Sequence, residues 1–308
     1  MGATSDEFAL ISSFLGGMDR GAAVRLGVGD DAAVLALAAD EELVVSSDCA
    51  VAGVHFPADA DPRLAAFRAV AAAVSDLAAM GARPLAMTLT LAAPDNAATL
   101  FSALQRGLEE ATACFSLPLV GGDLVQAPLS LGVQVLGAVP RGEAIRRSGA
   151  LPGERLCVSG FLGDAAAGLA LLKGELAGLP EAIQGELRER FWRPAPDLDL
   201  GASLRGRASA MIDVSDGLLA DAQHLASASG VSLRIDSSLI PRSPALCAAV
   251  EAEQALAWAL AGGEDYVLCF TLPGDAELPP GCTMIGVVET GEGVHCDRSI
   301  DGRGYRHF

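Results

Sequence analysis

Val24-Arg-Leu-Gly-Val-Gly-Asp-Asp31 and Leu43-Val-Val-Ser-Ser-Asp48 follow one pattern, in which a short apolar segment leads into carboxylates or hydroxyls. Each apolar segment predicts a β-strand, and each polar group is expected where that strand gives way to a loop. Side chains in such loops are positioned by the scaffold and stay accessible. Their oxygen atoms suit hard cations such as Mg²⁺, although Asp and Ser also mark ordinary turns. For either stretch alone, a metal site and a simple turn are equally good interpretations.

The same pattern recurs further along the chain, which favours the metal site. Gly121-Gly122-Asp123 follows the apolar pair Leu119-Val120, and Asp213-Val-Ser-Asp216 follows a strand predicted over Ala208–Ile212. Two carboxylates about 4 Å apart repel by roughly 4 kcal/mol at an effective dielectric near 20. If these aspartates converge, they need protons or divalent cations between them.

A further aspartate, Asp76, lies in the last turn of a predicted helix. Asp61-Pro62 is typical of a helix start, and Gly81 of a helix end. A carboxylate in the last turn faces the negative end of the helix dipole, which costs a few tenths to about 1 kcal/mol. Asp76 is therefore a modest indication of function.

The length of 308 residues suggests about two domains. Residues 141–153 are rich in glycine and charge, so we place the boundary there and predict domains over residues 1–145 and 146–308.

Composition excludes several classes of function. The net charge of −18 argues against nucleic acid as a partner, because phosphate backbones require Lys and Arg. No apolar run reaches the ~18 residues of a membrane span, and the N-terminus shows no secretory signal. The seven cysteines form no C-x-x-C pair, and their wide spacing fits a reducing compartment. We therefore expect a cytoplasmic protein that binds neither nucleic acid nor membrane.

A set of motifs occurs in order along nearly the whole chain. They are Gly27-Val-Gly-Asp-Asp-Ala-Ala-Val34, Ser46-Ser-Asp48, Gly53-Val-His-Phe56, Ser75-Asp-Leu-Ala-Ala-Met-Gly-Ala82, Gly121-Gly-Asp123, Arg147-Ser-Gly-Ala150, Ile212-Asp-Val-Ser-Asp-Gly-Leu218, Gly262-Gly-Glu-Asp-Tyr266 and Gly304-Tyr-Arg-His-Phe308. With these motifs the chain closely resembles the thiamine-monophosphate kinase family, which belongs to the superfamily of aminoimidazole ribonucleotide synthetase and selenophosphate synthetase.

The resemblance implies ATP-dependent phosphorylation of thiamine monophosphate to thiamine diphosphate. It implies two α/β domains of the aminoimidazole ribonucleotide synthetase type, with mixed sheets flanked by helices and with the first domain pairing with its copy in a homodimer. It also implies several Mg²⁺ ions and no dedicated catalytic base, since the accepting phosphate oxygen is already anionic.

The resemblance also assigns residues, position by position. Together with Asp30 from the first stretch, the metal ligands are expected to be Asp30, Asp31, Ser46, Ser47, Asp48, Asp76, Asp123, Asp213 and Asp216. The positions that match ATP contacts are Gly122, Asp123, Arg147 and Ser215, and those that match contacts to thiamine monophosphate are His55, Glu264 and Tyr305. Without the family match, each of the last three would be read as an ordinary packing or helix-end residue.

The Asp213–Gly217 loop carries a more detailed expectation. Its backbone amides and the N-terminus of the following helix are expected to face a phosphate, with Asp213 and Asp216 on a Mg²⁺ ion shared with the first domain across the interdomain cleft. In the simpler alternative, Asp213 caps the helix and Asp216 is a favourable partner of its dipole.

Two alternatives to the kinase stay open. One is another ATP-using enzyme of the superfamily, such as an amidine-forming synthetase or selenophosphate synthetase. The latter has a reactive Cys or selenocysteine near its N-terminus, whereas the first cysteine here is Cys49. The other is a protein that binds nucleotide or thiamine phosphate without catalysis. Such a protein is expected to have lost metal aspartates, and none of the matched ones is missing.

Overall fold

The computed structural model describes Phe14 and residues 17–94 and 98–298. The sequence pattern predicts a short helix over Ser5–Phe14 and no regular structure over Gly302–Phe308. The first segment lies outside the described residues except for Phe14, and the second lies outside them entirely. The chain divides into two compact units, one extending to Gly142 and the other starting at Glu143, with Ala78–Gly81 grouped with the second.

The first unit consists of long strands and two long helices. Its elements are β1 (Val24–Leu26), β2 (Val34–Leu35), β3 (Glu41–Val51), α1 (Pro62–Ala79), β4 (Arg83–Ala93), α2 (Ala98–Phe115), β5 (Leu119–Gln126) and β6 (Ser130–Pro140). Helix α1 starts with proline in its first turn, and Gly81 just beyond its end has φ +66°, as expected of a helix stop.

Four of these strands form one sheet in the order β3-β6-β4-β5. One face is buried: Val133 and Val135, two residues apart on β6, are fully inaccessible to solvent. Helix α1 lies on this face, because a Cβ added at Gly137 would approach Leu77 Cδ2 to 2.9 Å. The rings of Phe67 in α1 and Phe115 in α2 are 5.7 Å apart, which joins the two helices in one layer.

The opposite face of this sheet is open within the described part of the unit. Leu43 and Val45 on β3 are each 51% exposed, and Val125 on β5 is 44% exposed. Both β3 and β5 are edge strands of this sheet. Apolar sheet faces are normally covered by another layer.

The second unit is a larger mixed sheet with helices. Its elements are β7 (Arg155–Val158), α3 (Asp164–Leu172), α4 (Glu181–Trp192), α5 (Leu198–Ser203), β8 (Ala210–Asp213), α6 (Leu218–Ser229), β9 (Ser232–Ile235), a 3₁₀ turn (Ser237–Leu239), α7 (Pro244–Ala249), α8 (Ala252–Ala261), β10 (Leu268–Leu272), β11 (Thr283–Glu289) and β12 (Gly293–Cys296). The strand order is β12-β9-β11-β7-β10-β8.

The topology of this second sheet brings three loops together at one end of its strands. β7 and β8 both pair antiparallel with β10, which lies between them. The carboxyl ends of β7 and β8 therefore lie at the end of the sheet where β10 begins. The loops after β7 and after β8 meet there with the loop that precedes β10, over residues 262–267.

The predicted class, α/β with mixed sheets flanked by helices, is confirmed. Two local expectations are wrong: Asp48 and Asp123 lie inside β3 and β5, not beyond their ends. β3 pairs with β6 residue by residue from Glu41 to Val51, and this pairing extends the strand through its polar residues. Among the described helices, none combines the length and apolar character that a membrane span requires.

Candidate active site

Three predicted metal ligands come together in the first unit. Side chains alternate along β3, so Ser46 and Asp48 lie on the face covered by α1. Asp76, near the end of α1, accepts a 2.5 Å hydrogen bond from Ser46 Oγ to its Oδ2. This short bond ties the helix to the strand and leaves the remaining carboxylate oxygens for other partners.

Asp48 is the most perturbed carboxyl of this group. Asp48 is exposed on the edge strand β3, yet partial desolvation by its neighbours, and secondarily the negative charge of Asp76, raise the pKa of Asp48 to about 6. A carboxyl whose charge is disfavoured by its surroundings and by a second carboxylate is a candidate for cation binding. The local chemistry therefore agrees with the predicted metal site.

Ser47 and Asp123 are not part of this cluster. Alternation places Ser47 on the open face of the sheet. Asp123 aligns across the sheet with Thr90 on β4 and with Gly132 on β6. Gly132 aligns in turn with Cys49 on β3, whose side chain lies on the open face, so Asp123 lies on that face too. Since β3 and β5 are the two edges of a four-stranded sheet, Asp48 and Asp123 are separated by three strand spacings of about 4.8 Å, roughly 14 Å.

Gly122, a predicted ATP contact, is also required by packing. A Cβ at this position would overlap the carbonyl oxygen of Leu89 on the neighbouring strand β4. At Gly121 an added Cβ would meet nothing within 4 Å. The close approach of β5 to β4 thus explains why glycine stands at position 122, independently of any ligand.

Asp30 and Asp31 lie in the turn between β1 and β2, and both are exposed. The backbone N–H of Asp31 donates to Asp30 Oδ1 at 2.9 Å. Asp30 therefore uses one oxygen to stabilise the turn, as the turn interpretation expects. The carboxylate of Asp31 lies at the surface.

His55 lies in a tight turn directly after β3. Its Nδ1 accepts a 3.0 Å hydrogen bond from the backbone N–H of Val51, and its backbone N–H donates to the carbonyl of Val51 at 2.9 Å. Because Nδ1 is an acceptor, the neutral ring carries its proton on Nε2. The turn thus fixes both the tautomer and the ring orientation.

In the second unit, Asp213 ends β8 and is buried, and Ser215 and Asp216 follow in the loop to α6. The backbone N–H groups of Ser215, Asp216 and Gly217 all donate to one oxygen, Oδ2 of Asp221, at 3.0, 3.0 and 3.1 Å. The expectation that these amides face a phosphate is wrong for this conformation, because a carboxylate of the chain itself occupies them.

Asp221, in the first turn of α6, is a residue that sequence reasoning missed. Burial and the charges of Asp213 and Asp216 raise the pKa of Asp221 to about 7, although its amide hydrogen bonds act in the opposite direction. A sequence signal existed: an acidic residue in the first helical turn after an Asp-Gly loop commonly bonds to exposed backbone amides. Asp221 fixes the conformation of the loop that presents Ser215 and Asp216.

Glu264 is held beside this loop by main-chain hydrogen bonds. Its N–H donates to the carbonyl of Ser215 at 2.8 Å, and the N–H of Tyr266 donates to that of Val214 at 2.8 Å. Glu264 and Tyr266 have φ values of +66° and +52°, which non-glycine residues rarely adopt. Such backbone strain clusters at ligand sites. The structure therefore brings the predicted substrate residue Glu264 next to the predicted ATP residue Ser215.

Asp265, the neighbour of Glu264, has a structural role. Its carboxylate accepts the N–H groups of Gly163 and Ala165 at 2.8 and 3.3 Å, at the start of α3. Asp265 and Tyr266 also line a cavity of about 290 Å³ with Arg190 and Arg193. Of the predicted site residues that the structure describes, none lines this cavity.

Arg147 lies in the segment that precedes β7 in the second unit and is exposed. The preceding carbonyl, of Arg146, accepts the N–H of Met211 on β8 at 2.8 Å, so the segment runs beside this edge strand. The third predicted substrate residue, Tyr305, lies outside the described residues. Over residues 17–94 and 98–298, no three His, Cys, Asp or Glu side chains converge closely enough to form a metal site on their own.

Comparison with known proteins identifies the family. Residues 29–139 match the family described as AIR synthase related protein, N-terminal domain. The thiamine-monophosphate kinase of Salmonella typhimurium is 40% identical over 324 aligned positions, 98% of each chain. The crystal structure of thiamine-monophosphate kinase from Stenotrophomonas maltophilia K279a is 40% identical with a TM-score of 0.87, covering 94% of this chain and 96% of that one. A structure named AaThiL complexed with AMPPCP and TMP is 33% identical with a TM-score of 0.81, covering 89% of each chain. The chain therefore belongs to the thiamine-monophosphate kinase family.

Proposed function

We propose that the protein transfers the γ-phosphoryl group of ATP to thiamine monophosphate, giving thiamine diphosphate and ADP. The observation that carries this proposal is the identity of 40% to a thiamine-monophosphate kinase over 98% of the chain. The AaThiL complex, which contains the ATP analogue AMPPCP together with TMP, supports the same pair of substrates. No general base is needed, because the acceptor is an anionic phosphate oxygen.

The difficulty in this reaction is bringing two polyanions together. Mg²⁺ ions, when bound, neutralise the phosphate oxygens and align donor and acceptor. The donor set fits Mg²⁺, since Ser46, Asp48 and Asp76 offer hard oxygen atoms in a place where the Asp48 charge is disfavoured. The proposed ligands of the ions are Asp30, Asp31, Ser46, Ser47, Asp48, Asp76, Asp123, Asp213 and Asp216.

The organic substrates are assigned to the remaining residues. ATP is assigned to Gly122, Asp123, Arg147 and Ser215, and thiamine monophosphate to His55, Glu264 and Tyr305. In this assignment the domain of residues 1–145 holds metal and ATP and dimerises, while that of residues 146–308 supplies Arg147, Ser215 and Glu264. The hydrogen bond between Glu264 and Ser215 supports a common location for the last two.

We expect the purified protein to convert thiamine monophosphate to thiamine diphosphate with one ADP per product. Chromatographic separation of the thiamine phosphates, with a coupled ADP assay, measures both. Removing Mg²⁺ with EDTA should stop the reaction, and re-adding it should restore turnover. If ADP forms while a different acceptor is phosphorylated, the chain is another ATP-using enzyme of the superfamily. If no nucleotide turns over in the presence of Mg²⁺, the chain is a protein that binds nucleotide or thiamine phosphate without catalysis.

The proposal includes a homodimer formed through the first domain. The open sheet face with exposed Leu43, Val45 and Val125 is a surface that a second copy would cover. The roughly 14 Å between Asp48 and Asp123, on opposite edges of the sheet, gives a further reason. Because Asp48 and Asp123 lie on opposite faces but both on edge strands, a partner copy whose β5 edge approaches the β3 edge would bring its own Asp123 towards Asp48 and complete the ligand set.

Mixed dimers test this arrangement. Asp48→Asn and Asp123→Asn are each expected to be inactive alone. When the two variants carry different tags and are co-expressed, a twofold dimer with shared sites retains one intact site, so about half of the wild-type activity is expected in the doubly purified fraction. Co-expressing two differently tagged Asp48→Asn chains is the control. Inactive mixed dimers would show that each site is built within one chain, and a monomer in analytical ultracentrifugation would remove the dimer itself.

We also place the protein in the cytoplasm. All seven cysteines are free thiols in the structure. Burial raises the pKa of the Cys157 thiol to about 12 and that of Cys269 further, so both act as small core residues. This cysteine usage suits a reducing compartment.

A further inference from the structure

Ser229 connects the last turn of α6 to the segment that carries Arg147. Its Oγ accepts the backbone N–H groups of Gly149 and Ala150 at 3.1 and 3.2 Å. The same hydroxyl donates to the carbonyl oxygen of Arg147 at 3.1 Å. A hydroxyl has one donor and two acceptor positions, so all of its hydrogen-bonding capacity is spent on one four-residue segment.

These bonds are not needed to end the helix. Gly230 follows with φ 66°, the left-handed conformation of a helix C-cap, and its N–H bonds to the carbonyl of Ala226. The side chain of Ser229 thus contributes nothing to that cap. It reaches instead to residues about 80 positions earlier in the chain.

The segment is also held on its other side. The carbonyl of Arg146 accepts the N–H of Met211 on β8 at 2.8 Å. Gly149, at φ +124°, lies so close to β8 that an added Cβ would overlap the carbonyl of Ser209. The main chain from Arg146 to Ala150 is therefore fixed between β8 and α6, while the guanidinium of Arg147 stays exposed.

We infer that Ser229 is a positioning residue for ATP, which fixes the main chain of Arg147 so that its guanidinium is presented to the phosphate groups. The inference rests on the proposed function, in which Arg147 contacts ATP. Most of the other proposed site residues are carboxylates, so the one guanidinium among them is the group that attracts a polyanion. Holding its main chain in advance lowers the ordering cost of binding.

Helix α6 holds a second loop at its other end. Asp221 in its first turn binds the three amides of residues 215–217, and Ser229 in its last turn binds the Arg147 segment. The distance between Ser215 and Arg147 is thereby set by one rigid element of the second unit. The geometry gives α6 the role of a spacer between two proposed ATP contacts.

Ser229→Ala tests the inference. We expect the KM for ATP and the dissociation constant of AMPPCP, measured calorimetrically with Mg²⁺, to rise about tenfold, the scale of one lost hydrogen bond. kcat and the KM for thiamine monophosphate should stay close to wild type. The melting temperature should fall only slightly, because the bonds of Ser229 to Gly149 and Arg147 lie at the surface, where water can replace them. Ser229→Thr, which keeps the hydroxyl, should restore ATP affinity. Ser227→Ala is the matched control, because Ser227 lies on the same helix, is exposed and bonds to Gln223 at 2.9 Å.

Arg147→Gln separates the inference from the function on which it rests. If Ser229 acts through Arg147, the double variant should bind ATP no more weakly than Arg147→Gln alone. Unchanged ATP affinity in Arg147→Gln would remove the ATP role of Arg147. If the KM for ATP rises in Arg147→Gln while Ser229→Ala behaves like the control Ser227→Ala, only the positioning role of Ser229 is overturned. If Ser229→Ala lowers kcat and the melting temperature and raises both KM values to a similar extent, Ser229 is a purely structural residue.

Discussion

Asp48→Asn is expected to lower kcat for thiamine diphosphate formation by about 10³-fold or more, the scale of several kcal/mol of lost metal-ion stabilisation. The amide keeps the shape of the side chain and loses its charge. Asp48 lies beside Asp76, whose Oδ2 is already bonded to Ser46. In the proposed metal site, Asp76 without the Asp48 charge is expected to hold a divalent cation too weakly to compete with water. Steady-state kinetics over a range of Mg²⁺ concentrations measures this loss.

The same variant should keep or gain stability when metal is absent. Partial desolvation and Asp76 raise the folded-state pKa of Asp48 to about 6 from 3.8, and because Asp48 is exposed, solvent screening keeps the effect on stability small. The fold therefore favours the protonated form, and the contribution of Asp48 to stability declines as the pH rises from about 4 to about 6. The uncharged amide of the Asp48→Asn variant removes this decline, so at pH 7 the melting temperature of the metal-free variant should equal or exceed that of wild type.

Two measurements decide whether Asp48 is a metal ligand. Adding Mg²⁺ should raise the melting temperature of wild type, because a ligand that binds the folded state stabilises it, and this rise should shrink in Asp48→Asn. Asp40→Asn, at an exposed position just before β3, is the control and should behave as wild type. A large loss of stability in metal-free Asp48→Asn would mean that Asp48 is a structural carboxylate.

Asp221→Ala is expected to lower the free energy of unfolding by about 3 kcal/mol or more, since three backbone amides lose their acceptor and each unmade buried hydrogen bond costs ~1–3 kcal/mol. Turnover should fall with it, because the loop that presents Ser215 and Asp216 loses its fixed conformation. Chemical denaturation and steady-state kinetics measure the two effects.

Asp221→Asn keeps an oxygen acceptor and removes the charge, so it separates hydrogen bonding from repulsion. Burial, Asp213 and Asp216 raise the pKa of Asp221 to about 7. Its contribution to the stability of the metal-free protein therefore falls as the pH rises from about 4 to about 7. Relative to wild type, the free energy of unfolding of Asp221→Asn should therefore increase as the pH rises over that range. If Asp221→Ala proves as stable as wild type, the three amides have other partners and the loop does not depend on Asp221.

Local sequence signals predicted those helices whose ends are marked by capping residues, proline or glycine. Asp61-Pro62 and Gly81 bracket α1 closely, and Gly230 ends α6, because caps and stops depend on a few adjacent residues. Helix α4 was not predicted, since Gly185 and a largely charged sequence obscure its apolar stripe. Its helical state depends on packing against α3, where an added Cβ at Gly168 would overlap the carbonyl of Leu187.

The candidate site shows the limit of such reasoning more clearly. The motifs named Asp48, Asp76 and Asp123 as one group, yet sheet register decides which of them meet. A strand side chain changes face with every residue, so Ser47 and Asp123 lie on the open face while Ser46 and Asp48 face α1. Asp221 was missed because its place in the first turn of α6 signals an amide acceptor, but does not show that three amides of the preceding loop reach one of its oxygens.

The open face of the first sheet also has a consequence for how the protein is made. In the proposed homodimer a second copy covers this face, and until then a newly synthesised chain exposes Leu43 and Val45 on an edge strand of 11 residues. Edge strands of this length with apolar side chains are templates for uncontrolled strand addition. If the proposed dimer forms, we expect the yield of folded protein to depend on how soon β3 is covered after release from the ribosome. Substitutions on this face would be noticed first as inclusion bodies and low yield, before any change in catalysis could be measured.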